Sequence, residues 1–311
     1  MEILKKVPEE MSNMRLDKAC SIIFGDFSRT QHKKWIIEGR ILLNNELASP
    51  KDLVCESDEI QINPTSEKKT SWIGEDIIFE IIKEEKDYLI INKPSDLIMH
   101  PGAGCDSGTL ANGLIYSFPE LKNIPRVGIV HRLDKDTSGI VLVARTEKFR
   151  NYFINLLQER KVKKNYKAIV VGKILGSFEI IDPIGRDKNN RTKMSIRADG
   201  KEAHTFVKLE ENYQNYSLLD ISIKTGRTHQ IRVHLSSKKL PIIGDNTYNP
   251  SKNIAKETPS DLKNIIKDFP RQALHSYQLS FQDPDSNEIL SFTAPMPKDM
   301  ANLIKIFKKH I

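Results

Sequence analysis

The feature that most constrains the fold is a succession of short apolar runs, several of which follow one another directly. They are rich in β-branched residues and read I-I-F-E-I-I (77–82), Y-L-I-I-N-K (88–93), Y-K-A-I-V-V-G (166–172), A-H-T-F-V-K-L (203–209) and S-L-L-D-I-S-I (217–223). Runs of this length and composition are typical of β-strands. Because these strands outnumber the helices and do not alternate regularly with them, the pattern predicts the α+β class with a large mixed sheet.

Two stretches between these runs have helical periodicity. Each places four apolar residues on one face of a helix: Leu110, Leu114, Ile115 and Phe118 in the first, and Phe149, Phe153, Leu156 and Leu157 in the second. A polar segment at residues 64–75, P-T-S-E-K-K-T-S-W-I-G-E, has no sustained periodicity and is typical of a linker. We therefore predict a small domain over residues 12–63, the linker, and a larger domain over residues 76–311.

The small domain begins with two predicted helices, which two short strands follow. The first has apolar residues at helical spacing: Leu16, Ala19, Cys20 and Ile23. Ser28 is a suitable N-cap for the second helix, which ends at Gly39. The segment that contains this helix, residues 28–40, carries four basic residues: Arg29, Lys33, Lys34 and Arg40. Of these, Arg29, Lys33 and, less closely, Arg40 lie opposite the apolar Trp35 and Ile36. Such a face is usually solvated, and the alternative is that it binds a polyanion.

The composition is compatible with both interpretations. The net charge of +7 and the isoelectric point near 9.1 suit a partner that carries phosphates, although a basic bias of the whole proteome would give the same values. Three scattered cysteines and an N-terminus too charged for a secretory signal predict a cytoplasmic protein with reduced thiols. No histidine pattern indicates a metal site.

The segment G-I-V-H-R-L-D-K-D-T-S-G (128–139) places Asp134 between two cations at the end of what is predicted to be a buried strand. In an extended chain Arg132 and Asp134 point to one side, while Ile129, His131 and Leu133 anchor the other. The flanking cations favour the ionised carboxylate, which can serve as a nucleophile or a general base. A surface cluster of ion pairs that closes a turn is an equally good interpretation of these residues alone.

Two further segments carry candidate residues. Tyr166 follows three lysines in K-V-K-K-N-Y-K-A-I-V, where it is either a core aromatic or a ring on which a nucleobase stacks. Arg232 lies in T-G-R-T-H-Q-I-R-V-H-L among apolar residues that face inward. A buried arginine needs an anionic partner, and Asp134 is the candidate.

Together these segments resemble the RluA-type pseudouridine synthases, which act on structured RNA. The resemblance extends from about Arg15 to Met300 and also includes I-N-K-P-S-D-L-I-M-H-P-G-A-G, P-I-I-G-D-N-T-Y and R-Q-A-L-H-S-Y-Q-L-S-F-Q-D-P. The order of elements in the small domain resembles the S4 type of RNA-binding module. The resemblance implies an S4-like domain joined to a synthase domain with a mixed, largely antiparallel sheet and flanking helices.

The resemblance also implies roles for individual residues. Asp134 becomes the catalytic aspartate, Tyr166 the ring that stacks on the target base, and Arg232 the cation paired with the aspartate. The implied RNA-binding residues are Arg132, Arg227 and His229 in the large domain and Arg29, Lys33, Lys34 and Arg40 in the small one.

The implied reaction is the isomerisation of uridine to pseudouridine in 23S ribosomal RNA, in the stem-loop of helix 69, with no cofactor or metal and with a monomeric enzyme. Other uridines in 23S or transfer RNA remain an alternative target. Two other classes of function are open: a glycosidase, which would need a second carboxylate such as Asp136, and a non-catalytic RNA-binding factor of ribosome assembly.

Overall fold

The computed structural model describes residues 3–24, 29–63, 72–102 and 104–310, and the chain divides into two compact units, Met1–Ser71 and Trp72–Ile311. Ser28, the predicted N-cap, and residues 64–71 of the predicted linker lie outside the described residues. The last four residues of the predicted linker, 72–75, pack on the helix Leu110–Ser117 of the second unit: the side-chain amide of Asn112 donates a hydrogen bond to the carbonyl of Ile73 at 2.8 Å. The second unit therefore includes these four residues.

The first unit combines two helices with short strands. In chain order it contains β1 (Ile3–Lys6), β2 (Met14–Arg15), α1 (Leu16–Ile23), α2 (Arg29–Ile37), β3 (Ile41–Leu43), β4 (Glu46–Leu47), β5 (Leu53–Val54) and β6 (Glu59–Ile62). An antiparallel sheet has the order β1-β6-β3-β4, and β2 pairs with β5. Leu16 and Cys20 of α1 are buried in one core with Trp35 and Ile36 of α2. The predicted helices and the strands after them are confirmed.

The second unit is larger and richer in strands. It contains β7 (Glu80–Glu84), β8 (Tyr88–Lys93), α3 (Leu110–Ser117), β9 (Ser138–Ala144), α4 (Glu147–Gln158), β10 (Lys163–Val171), β11 (Phe178–Ile180), β12 (Ile184–Arg186), β13 (Met194–Ile196), β14 (Thr205–Tyr213), β15 (Tyr216–Ile223), α5 (Gln230–Ser237), α6 (Ser260–Lys267), β16 (Leu274–Gln282), β17 (Ile289–Thr293) and α7 (Lys298–Lys309). None of the helices in the described part of the chain is long and apolar enough to cross a membrane.

Most strands of this unit belong to one sheet. Its order is β11-β14-β15-β10-β16-β9-β8-β7, and β17 also pairs with β16. In the described residues the neighbouring strands are antiparallel except β16 and β9, which run parallel and pair through His275 with Ser138 and Ser276 with Gly139. The prediction of a mixed, largely antiparallel sheet is confirmed.

Helices flank the sheet on both faces. Along β8, Leu89 and Ile91 point into one core, whereas Tyr88 and Ile90 point into another, because successive strand residues face opposite sides. The first core contains apolar residues of α3, α5, α6 and α7, and the second contains those of α4. The two predicted amphipathic helices are therefore confirmed as α3 and α4.

The predicted buried strand before Asp134 is wrong. The chain there makes a tight turn at Pro125–Gly128, in which Arg126 and Val127 have left-handed backbone angles, with φ of 56° and 55°. Ile129 then forms an isolated bridge with Val143 of β9. The apolar run is buried because it covers the edge of β9, and it does not form a continuous ladder.

Candidate active site

Asp134 lies in the loop that leads into β9, and alternate residues of this loop point in opposite directions, as predicted. Ile129 and Leu133 are buried, whereas Arg132 is exposed. The side chain of Asp134 is 18% exposed, and its backbone carbonyl accepts a hydrogen bond from the N–H of Thr137 at 3.1 Å. Apolar side chains thus anchor the loop while its carboxylate reaches solvent.

His131, the third predicted anchor, supplies a hydrogen-bond acceptor that a neighbouring strand would otherwise provide to β9. Its Nε2 accepts a hydrogen bond from the backbone N–H of Leu142 in β9 at 2.9 Å. Burial lowers the pKa of His131 to about 3, and the charge of Lys164 adds to this effect. The ring is therefore neutral at physiological pH, which leaves Nε2 as an acceptor for the strand edge.

Two glycines bound the loop because the backbone passes too close to its neighbours for any side chain. Gly128 has φ of +75°, and a Cβ there would lie 1.9 Å from the carbonyl oxygen of Ala144. Gly139 has φ of +116°, and a Cβ there would lie 2.1 Å from the carbonyl oxygen of Ser276. Both ends of the Asp134 loop are therefore fixed by close main-chain contacts, which only glycine allows because it has no Cβ.

Lys93, which the sequence analysis did not select, fastens the loop from the interior. It is fully buried at the end of β8, and its Nζ donates to the carbonyls of Pro94, Leu97 and Lys135 at 2.7, 2.9 and 2.8 Å. Burial lowers the pKa of Lys93, while the charge of Asp136 partly offsets this. The carbonyl of Lys135 follows directly after Asp134, so the lysine fixes the backbone beside the carboxylate.

Buried residues at the start of β16 support the same loop. They bind three successive residues of it: Arg271 donates to the carbonyl of Asp136 at 3.2 Å, Gln272 donates to Oγ1 of Thr137 at 3.1 Å, and Nδ1 of His275 lies 2.9 Å from Oγ of Ser138. The segment R-Q-A-L-H-S therefore positions the loop, although the sequence analysis gave it no role.

Arg232 joins the carboxylate of Asp134 from α5, as predicted. It is buried, and its Nη1 donates to Oδ2 of Asp134 at 2.9 Å. The turn before α5 places the residue there, because His229 adopts a left-handed conformation, with φ of 56°, at the N-terminus of the helix.

Asp134 is not the main partner of Arg232, however. Asp245 accepts two hydrogen bonds, from Nε at 2.7 Å and from Nη2 at 2.8 Å. Burial disfavours the charge of Arg232, but Asp245 and then Asp134 outweigh this and raise the pKa of Arg232 above its ordinary value. Asp245 also accepts from the backbone N–H groups of Thr247 and Tyr248 at 2.9 and 3.0 Å. The prediction of one anionic partner is corrected to two.

His229 faces the other oxygen of Asp134. Its Nε2 lies 4.0 Å from Oδ1 of Asp134, and its Nδ1 lies 2.8 Å from the hydroxyl of Tyr248. The ring of Tyr248 packs under Arg232, whose Cζ lies 5.1 Å from the ring centroid. Burial lowers the pKa of His229, although the charge of Asp134 acts in the opposite direction. One tyrosine thus orients both groups that contact the aspartate.

Tyr166 is buried in β10 and faces the same cleft as Asp134. Burial raises the pKa of Tyr166 to about 12; its hydrogen bond with Ser276 lowers this pKa, and the charge of Asp134 raises it further. The phenol is therefore protonated at neutral pH. Tyr166 is therefore a core aromatic that also lines the cleft, and its stacking on a nucleobase stays a prediction.

The cleft around these residues has a volume of about 620 Å³ and is strongly basic. Among the described residues that line it, Asp134 is the one carboxylate. The cations that line it are Arg126, Arg132, Arg160, Lys164, Lys224, Arg227 and Arg232. An anionic ligand is therefore attracted to a cleft in which the described residues supply one carboxylate.

Comparison with known proteins decides which ligand this is. A model of RNA pseudouridylate synthases matches residues 87–237, and an S4 domain model matches residues 14–60. Curated relatives cover nearly the whole chain: "Ribosomal large subunit pseudouridine synthase D" from Vibrio parahaemolyticus is 37% identical over 97% of this chain and 94% of its own. The protein of that name from Escherichia coli (strain K12) is 35% identical over 99% and 95%. The chain belongs to the RNA pseudouridylate synthase family.

The chain is thus an isomerase that acts on RNA, and the predicted family resemblance is confirmed. A third relative of the same name, from Neisseria meningitidis serogroup A, is 40% identical over 97% of this chain and 81% of its own. Two human proteins named "RNA Pseudouridylate Synthase Domain Containing" 1 and 4 support the synthase fold. They have TM-scores of 0.54 and 0.57, are 24% and 22% identical, and cover 76% and 73% of this chain and 96% and 92% of their own.

The synthase cleft contains the predicted residues of the second unit: Asp134, Tyr166, Arg232, Arg132, Arg227 and His229. The other four predicted residues lie in the S4 unit, and ion pairs partly occupy them. Arg29 donates to the buried Asp17 at 2.9 Å, Arg40 donates to Glu38 at 3.1 Å, and Lys34 lies 4.0 Å from Glu38. Lys33 is exposed and has no ion pair in the described part of the chain.

Proposed function

We propose that the chain converts uridine to pseudouridine in large-subunit ribosomal RNA, with Asp134 as the catalytic residue. The observation that carries this proposal is that Asp134 is the one carboxylate among the described residues that line the basic cleft. Arg232 donates a hydrogen bond to it at 2.9 Å, and Tyr166 lines the same cleft. A glycosidase would need a second carboxylate in the cleft. Asp136, the candidate from sequence, does not line it.

The chemistry needs one carboxylate and no electron carrier. The bond between C1′ and N1 breaks, the uracil rotates, and C5 bonds to C1′ while C5 loses a proton and N1 gains one. Asp134 acts either as the nucleophile at C1′ or as the base that removes the proton from C2′. Because the isomerisation is redox-neutral, we propose that no cofactor or metal takes part.

The neighbours of Asp134 have separate roles in this proposal. Arg232 stabilises the negative charge of the carboxylate and orients it. Tyr166 stacks on the uracil after the base has left the RNA helix, which offsets part of the few kcal/mol that flipping costs. The exposed Arg132, two residues before Asp134, contacts the RNA at the gap that the flipped nucleotide leaves in the helix.

The names of the curated relatives support the ribosomal target. Within it we propose the helix 69 stem-loop of 23S RNA as the substrate of a monomeric, cytoplasmic enzyme. We also propose that the S4-like domain, residues 12–63, recruits the RNA through Arg29, Lys33, Lys34 and Arg40. The domain at residues 76–311 performs the chemistry.

The test is a map of pseudouridine in ribosomal and transfer RNA from cells with and without the gene. We expect loss of pseudouridine in helix 69, its return on expression of the wild type, and no return with Asp134→Asn. Loss in transfer RNA instead would contradict the ribosomal target. Free uracil as the product would contradict the isomerisation, and full modification by Asp134→Asn would contradict the role of the aspartate.

A further inference from the structure

A half-buried lysine lies in the cleft without an acidic partner. Lys164 is on β10, two residues before Tyr166, and both side chains line the cleft. Burial lowers the pKa of Lys164 to about 8, the charge of Arg227 lowers it further, and no carboxylate of the described residues raises it. An ammonium in such a place is destabilised until an anion reaches it.

The turn before α5 holds a second cation against this lysine. A Cβ at Gly226 would lie 3.5 Å from Nζ of Lys164, so the backbone of the turn passes next to the ammonium. Arg227 follows directly, and its Nε donates to the backbone carbonyl of Glu202 at 2.9 Å. That bond fixes the direction of the guanidinium, which has no ion pair at contact distance among the described residues and interacts with the charge of Glu202 only through space.

The nearby acidic side chain is already occupied. The carboxylate of Glu202 accepts two hydrogen bonds from Arg160, at 2.9 and 2.6 Å. Lys164 makes no ion pair with Asp134, whose carboxylate is bound by Arg232 instead. The two cations therefore form a separate anion site in the wall of the cleft.

We propose that Lys164 and Arg227 together bind one backbone phosphate of the RNA strand whose uridine enters the cleft. This site rests on the proposed function and adds a group that sets the register of the strand. Because Lys164 and Tyr166 project from one strand into one cleft, the bound phosphate lies next to the nucleotide whose base stacks on Tyr166. Neither cation contacts the reacting atoms, so both are positioning residues.

The test compares two neighbouring lysines. Lys163 is exposed and directly precedes Lys164 on β10, so Lys163→Met is a control with the same change of charge. Each substitution is made in the full-length Asp134→Asn protein, and binding to a stem-loop of the helix 69 sequence is measured from 50 to 300 mM salt. We expect Lys164→Met to weaken binding about tenfold and to reduce the salt slope by about 0.7 to 0.9. Lys163→Met leaves both values unchanged, and Lys164→Arg restores most of the affinity.

Two results would overturn the phosphate site: equal effects of Lys163→Met and Lys164→Met, or an unchanged salt slope in Lys164→Met. The thermal unfolding midpoint of each variant shows that it is folded, and Lys164→Gln serves if the methionine variant is not. Turnover of the same RNA by the protein with Asp134 intact separates this proposal from the proposed function. Product without a selective effect at Lys164 overturns the phosphate site alone, whereas a selective effect without product supports the site and contradicts the proposed function.

Discussion

Asp245 holds Arg232 from behind the cleft: its two carboxylate oxygens accept hydrogen bonds from Nε and Nη2 at 2.7 and 2.8 Å. The remaining Nη1 points at Asp134. Asp245 is 1% exposed, so no ligand reaches it. Its function is to aim the guanidinium, and the proposed catalytic carboxylate receives one hydrogen bond from a cation that cannot rotate.

Replacing Asp245 with Asn should therefore reduce turnover more than RNA affinity. We expect kcat to fall about 100-fold with little change in KM, because a small misplacement of a group beside the reacting atoms has this effect. We also expect the free energy of unfolding to fall by about 3 kcal/mol, since a buried pair loses one charge. Asp261→Asn, a change at an exposed helix residue, is the control. Equal losses in kcat and affinity would indicate a merely structural role.

Tyr166 allows its ring and its hydroxyl to be tested separately. Tyr166→Phe keeps the ring, so we expect it to retain affinity for RNA and to change turnover only as far as the hydroxyl takes part. Tyr166→Ala removes the stacking surface and should weaken binding by about 1–3 kcal/mol. The measurement is single-turnover kinetics over a range of RNA concentrations. Identical losses of turnover for Phe and Ala would assign the role to the hydroxyl.

His131 predicts a loss of stability in acid. Its folded pKa of about 3 is far below the ordinary value of 6.5, so the unfolded chain binds a proton that the folded chain excludes. Its contribution is complete above about pH 6.5 and decreases as the pH falls toward 3. At pH 5 this lowers the free energy of unfolding by about 2 kcal/mol.

The measurement is urea unfolding at pH 7 and pH 5. His131→Gln keeps an acceptor in the place of Nε2 but does not titrate, so its stability should fall less between the two values than that of the wild type. The difference between the two proteins isolates the histidine from carboxylates that titrate in the same range. An equal fall in both would show that His131 is already charged in the folded protein.

The basic helix of the S4 unit contains two kinds of cation, which substitution should distinguish. Lys33 is exposed, and Lys33→Glu should weaken RNA binding and reduce its salt dependence while the unit remains folded. Arg29 pairs with Asp17, which is 3% exposed and also binds Arg15. Arg29→Glu brings a like charge next to that carboxylate and should unfold the unit. Circular dichroism and filter binding on both variants check this; equal folding of the two would contradict it.

The part of the site that local patterns determine was predictable from sequence. The alternation of Ile129, Leu133 and Arg132 determines which way Asp134 points. The apolar surroundings of Arg232 require an anionic partner. Both inferences depend on periodicity or on the cost of a buried charge, which a single segment shows.

The rest depends on contacts between distant segments. Asp245 and Lys93 each lie two residues after an apolar run, which indicates that the residue is buried but does not reveal its partner. The run before Asp134 is as apolar as a strand, but it does not pair as one. The backbone N–H of Leu142 donates to the side chain of His131 instead of to a neighbouring strand. Composition cannot distinguish a strand from a loop that covers the edge of one.

The parallel contact between β9 and β16 has a mechanical consequence. Strand β9 follows the Asp134 loop, and β16 pairs with β10, which carries Tyr166. Only two residue pairs join β9 to β16 in the described part of the chain. This narrow junction, where Gly139 lies against the carbonyl of Ser276, therefore contributes to the spacing between the carboxylate and the aromatic wall. A Cβ at Gly139 would lie 2.1 Å from that carbonyl oxygen, so an added methyl group there is expected to force the two strands apart and to lower activity without changing any proposed RNA-binding residue.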